Sequence, residues 1–467
     1  MVVGRPRRVV VIGAGISGLV AAHRLHDAGH EVLVLERDAV VGGKIGVVRQ
    51  DGYLLERGPN SLLGSARALW PWIEALGLEP EMLQARGPGD RWVYRGGTLR
   101  RLPRGPLSAL GGNWLDWGDR IRVARELFVP ADPRDDETLY DFVARRCGPG
   151  FADGLIAPFT SGVYAGDPRQ LGARDAFPRM WRLEAEGGGL IRGAVALARV
   201  RKAERGGTPA RKGLWNFQQG LQTLPNALAA SLAASPRARV EASATAVALR
   251  PDAEGVVVEV QAATGDRVER ADGVVVALPP AAIAALLRPW AADAADALAA
   301  TPMAPVAVVH LGGPDPENAA PAGFGALVAR GEGIEALGVL VPSSLFAGRA
   351  PEGHALYAVF LGGVTAPELV DCDDATLIDL ALRGRRAVFG PATDVAPAMT
   401  HVTRWQAAIP QYIVGHRRRV ELARDRLVAV GAPIAIAGAG CDGISIDDAA
   451  ASGQAQADAL LARLEAA

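Results

Sequence analysis

Residues Arg8 to Ile12 form a continuous, largely β-branched apolar run, the pattern of a parallel strand buried on both faces, and Glu31 to Leu35 is the next such run. Between them Ile16, Leu19, Val20, His23 and Leu25 fall near one helical stripe, and Gly29 stands where a helix end favours a left-handed residue. These segments predict a βαβ unit. From about Arg101 to Ala203 the apolar positions are spaced among paired charges, as in Asp119 to Phe128, which predicts a mostly helical block. The charged, glycine-containing stretch Arg201 to Gly213 predicts a surface loop at a unit boundary. Thr245 to Arg250 and Gly255 to Ala262 then predict two strands around a turn at Pro251–Glu254, and a strand from Gly273 to Leu278 stops at Pro279-Pro280. Further strands at Val306–Leu311, Leu337–Val341 and Leu356–Gly362 predict an antiparallel or mixed sheet in a second unit. Pro433 to Ala437 is a last strand, and a final helix runs from about Asp447 to Leu464. The fold class is α/β, with a chain that crosses between its units several times.

A length of 467 residues is compatible with two to four structural units. With 50 Lys and Arg against 51 Asp and Glu, no global field would draw the protein onto nucleic acid or acidic lipid. A hydrophobic content of 49% and a charged content of 22% exclude a mostly disordered chain. Cys147, Cys372 and Cys441 lie far apart and form no CxxC pair, so neither a disulfide framework nor a zinc site is expected, and a reducing, cytoplasmic compartment fits. The apolar run after the basic N-terminus is punctuated by Gly13, Gly15 and Gly18 and reads as strand and turn rather than a signal peptide. No uninterrupted apolar stretch of about 18 residues predicts a membrane span. His26 and His30 have HxxxH spacing, but Gly29 ends the helix between them, and no metal centre is expected. His416 reads as a hydrogen-bonded structural residue.

The strongest chemical signal is Gly13-Ala14-Gly15-Ile16-Ser17-Gly18, directly after a strand and opening a helix, with Glu36 closing the second strand. Gly13 permits the tight turn, Gly15 lets the backbone approach a pyrophosphate, Gly18 lets helix pack on strand, and Glu36 would accept from a ribose hydroxyl. Both NAD and FAD use this fingerprint. Val41-Gly42-Gly43-Lys44 follows, a glycine pair and a base suited to close approach to a flavin or its phosphates, and it favours FAD. Ala437-Gly438-Ala439-Gly440 through Asp442-Gly443-Ile444 would return the chain to the cofactor with another helix N-terminus.

Five further segments are collinear with a known family: Gly58-Pro59-Asn60-Ser61, Pro158 to Pro168, Ala176-Phe177-Pro178 leading to Gly189–Gly193, Phe217 to Leu224, and Ile409-Pro410-Gln411-Tyr412 followed by Gly415-His416. On these the chain resembles the protoporphyrinogen and coproporphyrinogen oxidases within the amine-oxidase-like flavoproteins. The resemblance implies a Rossmann-like FAD-binding domain of the amine-oxidase type (residues 1–78, 204–288 and 420–467) and a mixed-sheet substrate domain (79–100 and 289–419). It also implies a helical, membrane-associated insert (101–203), where Trp114 and Trp117 suit an interface as well as they suit internal packing. The reaction implied is six-electron oxidation of a porphyrinogen, with protoporphyrinogen IX the preferred substrate, in three flavin cycles with oxygen as acceptor and hydrogen peroxide released. This is a step of haem or chlorophyll synthesis.

By the same resemblance, FAD contacts would come from the six residues of the first glycine motif, Glu36, Arg37, Gly42, Gly43, Lys44, Gly58, Pro59, Asn60, Ser61, Val240, Trp405, Gly438, Ile444, Ser445 and Ile446. Arg91 would pair with a substrate propionate, Phe324 and Leu327 would sandwich the macrocycle, Phe346 would stack on a pyrrole ring, and Asn60 would stand at the substrate–flavin junction. The implied partners are porphyrinogen and oxygen. A ferrochelatase or another tetrapyrrole enzyme, a second copy of the chain and the inner face of the membrane are compatible with it, and nucleic acid is not. Flavin N5 carries the chemistry, so no catalytic side chain is expected. One departure stands out: Ser445 occupies a small-residue position beside the expected flavin, where its hydroxyl could alter flavin reactivity. The rival readings are a flavin oxidase of coproporphyrinogen III, of a carotenoid or of an amine, and a non-catalytic porphyrin or flavin carrier.

Overall fold

The computed structural model describes residues 5–87, 91–102, 116–203 and 211–466. Strand β1 (Arg8–Ile12), helix α1 (Ile16–Asp27) and strand β2 (Glu31–Leu35) form the expected βαβ unit with the expected strand limits. Gly29, at φ +96°, turns the chain just after α1. A five-stranded parallel sheet grows around this unit in the order Ala238–Glu241, β2, β1, Gly273–Val276, Ile434–Ile436. Its residues alternate between two cores: Val9, Val11, Val32 and Val34 pack on one face, while Val10, Ile12, Leu33 and Leu35 pack on the other. Burial on both faces is why these strands read as unbroken apolar runs.

The second sheet has seven strands in the order Met399–Pro410, Met303–Pro314, His354–Gly362, Ala336–Leu340, Gly325–Val328, Arg91–Arg95, Thr98–Arg101. It is mixed, because Gly325–Val328 runs parallel to Arg91–Arg95 while the other neighbours are antiparallel. Its strands outrun the apolar signal. Met303–Pro314 extends well beyond Val306–Leu311, since both neighbouring strands continue the ladder through Gly312 and one of them on to Pro314. The turn expected at Pro251–Glu254 is tighter, leaving only Ala253 and Glu254 between the strands Ala244–Asp252 and Gly255–Ala262.

A hairpin, Val47–Gln50 with Tyr53–Glu56, turns at Asp51 and Gly52, both with positive φ as such two-residue turns require. The block between the sheets is helical, including Trp117–Arg125, Leu139–Cys147, Ala157–Tyr164, Pro178–Ala185 and Leu190–Ala203, and it has its own core around Phe142 and Val143. The last of these helices runs into the segment expected as loop from Arg201; residues 204–210 and Trp114 lie outside the described residues. The C-terminal helix Ile446–Ala466 lies against α1, and Gly453 marks the closest approach, where a Cβ would stand 2.0 Å from the Ser17 carbonyl oxygen.

Candidate functional site

The first glycine motif is folded as its spacing predicts. Gly13 has φ +102° and a Cβ there would meet the Ala277 carbonyl at 2.6 Å; one at Gly18 would meet the Gly13 carbonyl at 1.9 Å. Gly15 differs, because a Cβ there would meet nothing within 4 Å. It stands before α1 with no side-chain cap on the helix, so that open space lies against backbone N–H donors, the requirement for close approach of a pyrophosphate. Ala14, Ile16 and Ser17 are buried in the same turn. Glu36 is buried beneath it, its carboxylate accepting from the Ala14 N–H at 2.8 Å and the Asp38 N–H at 2.9 Å, which fixes the acceptor a ribose needs. Arg37 points outward and pairs with Asp38.

Gly42 donates to the Ala14 carbonyl at 2.8 Å and pairs with Gly15 across an isolated bridge, while Gly43 lies against Gly15. The glycine pair therefore closes over the turn of the first glycine motif. Lys44 follows it half-buried, and burial alone pushes its ammonium down to about 8. A cation held in this way favours an anion beside it. The Lys44 carbonyl packs against Gly58, where a Cβ would stand at 2.4 Å, and this brings Gly58-Pro59-Asn60-Ser61 alongside. The Asn60 amide donates to the Gly58 carbonyl at 3.1 Å, and its buried Oδ1 has no partner. Buried acceptors are normally satisfied, so Oδ1 is a group awaiting a donor.

At the other end of the chain Gly438 has φ +115°, approaches Ser17 and donates to Ser452 Oγ at 2.9 Å. Ile444 packs with Tyr164, Leu171 and Tyr412. Ser445 is the cap of the C-terminal helix: Oγ donates to Asp448 Oδ2 at 2.6 Å and accepts from the Asp448 N–H at 3.0 Å, ahead of Ile446. Its hydroxyl is thus committed to the helix. Val240 lies farther off, on the edge strand beside β2, opposite Val34. Trp405, on the seven-stranded sheet, donates from its indole to the Arg57 carbonyl at 2.8 Å beside Gly58.

The substrate candidates divide. Gly325 is paired with Arg91 and Leu327 with Val93, and the Arg91 guanidinium carbon lies 5.5 Å from the centre of the Phe324 ring. Leu327 fills the space beside Gly162, and Phe324 packs with Leu337, Leu340, Phe360, Trp405 and Ile409 on one apolar sheet face. Arg91, Phe324, Leu327 and Trp405 are therefore brought together. Phe346 is set apart: it is only 2% exposed, and its ring lies 5.5 Å from the Arg349 guanidinium carbon. A cleft of about 380 Å³ lined by Val47, Arg49, Gln219, Gln222, Thr223 and Asn226 contains none of the candidate residues.

One residue that organises the site carries no local signal. Asp447 accepts from the N–H groups of Arg67, Ala68 and Leu69, tying the C-terminal helix to the turn before helix Trp70–Ala75. His416 is fully buried, stacks on Tyr412 with ring centres 4.0 Å apart, and is pushed down to about 4 by burial, which leaves it neutral and structural. Among the described residues no group of three His, Cys, Asp or Glu could hold a metal ion, and Cys147, Cys372 and Cys441 are free.

The donors, the open space at Gly15, the buried Glu36 carboxylate and the unpartnered Asn60 acceptor fit FAD. A family model described as flavin containing amine oxidoreductase matches residues 16–461. The chain is 33% identical to a chloroplastic protoporphyrinogen oxidase of Oryza sativa subsp. japonica, over 90% of this chain and 81% of the rice protein. It is 29% identical to a coproporphyrinogen III oxidase of Bacillus subtilis, over 96% of this chain and 97% of that one. A crystal structure from Exiguobacterium sp. 255-15, provisionally described as a protoporphyrinogen oxidase, superposes with a TM-score of 0.82 at 24% identity, covering 99% of each chain. That likeness carries the fold.

Proposed function

The chain belongs to the flavin-containing amine oxidoreductases, FAD-dependent enzymes, and on that footing we propose that it oxidises a porphyrinogen, protoporphyrinogen IX by preference. Bound FAD supplies the two-electron acceptor, with oxygen as the terminal oxidant and hydrogen peroxide as by-product. Hydride loss from a methylene bridge leaves a cation spread over electron-rich pyrroles, and the accompanying proton leaves from a pyrrole N–H to solvent. The chain need supply no strong base; its task is to orient a large apolar disc.

The observation that carries the reading is the Arg91–Phe324 pair beside Leu327: a two-pronged cation at the rim of an apolar face, complementary to a flat macrocycle with a carboxylate edge. Asn60 Oδ1 then takes a donor at the junction of macrocycle and flavin. Phe346 is buried with its ring against the Arg349 guanidinium, apart from this pair. The two sheets support the division into an FAD-binding domain (1–78, 204–288, 420–467), a substrate domain (79–100, 289–419) and an insert (101–203), except that Met82–Gln84 pairs with Leu214–Phe217 across the first boundary. The Bacillus relative favours a second reading, coproporphyrinogen III, which differs in its number of carboxylates.

Anaerobic mixing with each porphyrinogen, followed at the flavin absorbance near about 450 nm, separates these readings. Bleaching by protoporphyrinogen, with recovery and porphyrin fluorescence in air, is expected. Preferential bleaching by coproporphyrinogen selects the second reading, and bleaching by neither overturns both.

The insert exposes Trp117 (77%), Ile121, Leu127 and Phe128 (81%) among Arg120, Arg122 and Arg125, which favours contact with the surface of the inner membrane leaflet. No helix among the described residues is long and apolar enough to cross a membrane. Co-flotation with anionic liposomes, lost in a Trp117→Ser, Phe128→Ser variant, is the expected result; equal flotation of both proteins overturns it.

A further inference from the structure

Glu56 ends the hairpin strand Tyr53–Glu56 and is 3% exposed. Its Oε1 accepts from the Asn216 amide at 2.9 Å and from the Leu221 N–H at 2.9 Å, while its buried Oε2 has no partner. Asn216, fully buried, uses the same amide nitrogen to donate to the Asn60 main-chain carbonyl at 2.9 Å, and its Oδ1 accepts from the Phe217 N–H. One carboxyl thus holds, through one amide, the loop from which Asn60 presents its unpartnered Oδ1.

A second loop acts on the same carboxyl through its charge, without a hydrogen bond or ion pair to it. Arg349, 1% exposed, is held by the Phe217 carbonyl at 2.8 Å and the Gln218 carbonyl at 3.3 Å, it attracts Glu56 electrostatically, and its guanidinium lies over Phe346. Its Nε is another buried atom without a partner. The charged and titratable groups acting on Glu56 are Arg349, Arg49 on the paired hairpin strand, and the imidazole of His310, which neighbours the Glu56 main chain. His310 is held neutral by its burial, down to about 3, so the two arginines are the charges the carboxyl faces.

We propose that Glu56 is a positioning residue: its carboxyl, through Asn216, sets the Asn60 loop, and its protonation state, felt by the Arg349 guanidinium, changes how that loop presents itself to flavin and substrate. An ionised carboxylate draws the Arg349 guanidinium toward Oε2; a protonated one releases it and turns Oε2 into a donor. Burial pushes this carboxyl up to about 7, so the change falls in the neutral range. The substrate side of this inference rests on the porphyrinogen reading; the flavin side does not.

The test uses the flavin-loaded wild type, Glu56→Gln and Asn216→Ala. The visible circular dichroism of the bound flavin, followed against pH without substrate, should titrate in the wild type with a midpoint near about 7 and should not do so in Glu56→Gln. Asn216→Ala should keep a midpoint while kcat falls about tenfold, since it cuts the link to Asn60 and leaves the carboxyl. The kcat profile of the wild type should show the same midpoint and that of Glu56→Gln should be flat. A flavin signal that does not titrate in the wild type, a midpoint retained in Glu56→Gln, or unchanged kcat in Asn216→Ala each overturns the proposal. Failure of the wild type to oxidise either porphyrinogen overturns the functional reading instead, and the flavin titration still decides the role of Glu56.

Discussion

At the scale of single residues, the glycines that were legible in the sequence are those whose reasons are local. Gly13, Gly18 and Gly58 are each pinned by a main-chain atom that a Cβ would strike, and Gly15 by an emptiness a ligand needs. Glu56 and Asn216 were not legible, because a contact across 160 residues buries them and no spacing announces it. Their burial has a thermodynamic signature. Glu56 ionises in the unfolded chain near its ordinary 4.5 but in the fold only near about 7. The folded state therefore binds this proton more tightly, and the stability it contributes is complete below pH 4.5 and lost as pH rises to about 7. Glu56→Gln, always neutral, escapes that loss. Its stability relative to wild type should rise across this window by about 3 kcal/mol and then level off, as read by urea unfolding at stepped pH.

At the scale of elements, periodicity found β1 and β2 to the residue, overran Gly273–Val276 and Ile434–Ile436, gave no sign of the edge strand Ala238–Glu241, and underestimated the longest strand of the mixed sheet, whose length is set by neighbours rather than by apolar content. It also left Ser445 as an anomaly. As the cap of the C-terminal helix, Ser445 is a helix-start residue with its partner Asp448 three positions on, and Ser445→Ala should cost about 1 kcal/mol in urea unfolding while leaving the rate of flavin reoxidation unchanged. An altered reoxidation rate would mean that the hydroxyl acts on the flavin.

The helical insert hides a different device. Arg146, with a fully buried side chain, is clamped between Glu126 and Glu184, and Arg145 bridges Glu184 to Glu137 at 2.9 and 2.8 Å. Glu126 also caps the helix Leu190–Ala203 by accepting from the Leu190 and Ile191 N–H groups. In sequence these residues look like ordinary surface charges. Removing one partner leaves a buried charge uncompensated, so Glu184→Ala should destabilise the protein by about 3 kcal/mol or more, whereas Glu254→Ala, on an exposed turn, should be near neutral.

At the scale of the whole molecule, the interleaving of the two sheets was legible as the return of strand, glycine and helix signals late in the chain. The contact that locks it was not. Gly453 against Ser17 sets how closely the C-terminal helix approaches α1, and so how the starts of the two helices stand to each other. Gly453→Ala should push the helices apart, lower stability by about 2 kcal/mol, and reduce the flavin retained through gel filtration. Retention equal to wild type would uncouple the helix contact from the cradle.

The order of the parallel sheet has one more consequence, in time rather than space. Its central strand β1 is made long before its neighbour Gly273–Val276, and that strand long before the edge Ile434–Ile436. During synthesis the first glycine turn emerges long before the C-terminal helix that packs on α1, so a growing chain lacks that contact until Ile446–Ala466 is made. With the first glycine turn and the C-terminal helix read as the FAD cradle, capture waits for that helix, and slow, long-range closure of this sheet, rather than diffusion of the cofactor, is the expected limit on how fast newly made protein turns yellow.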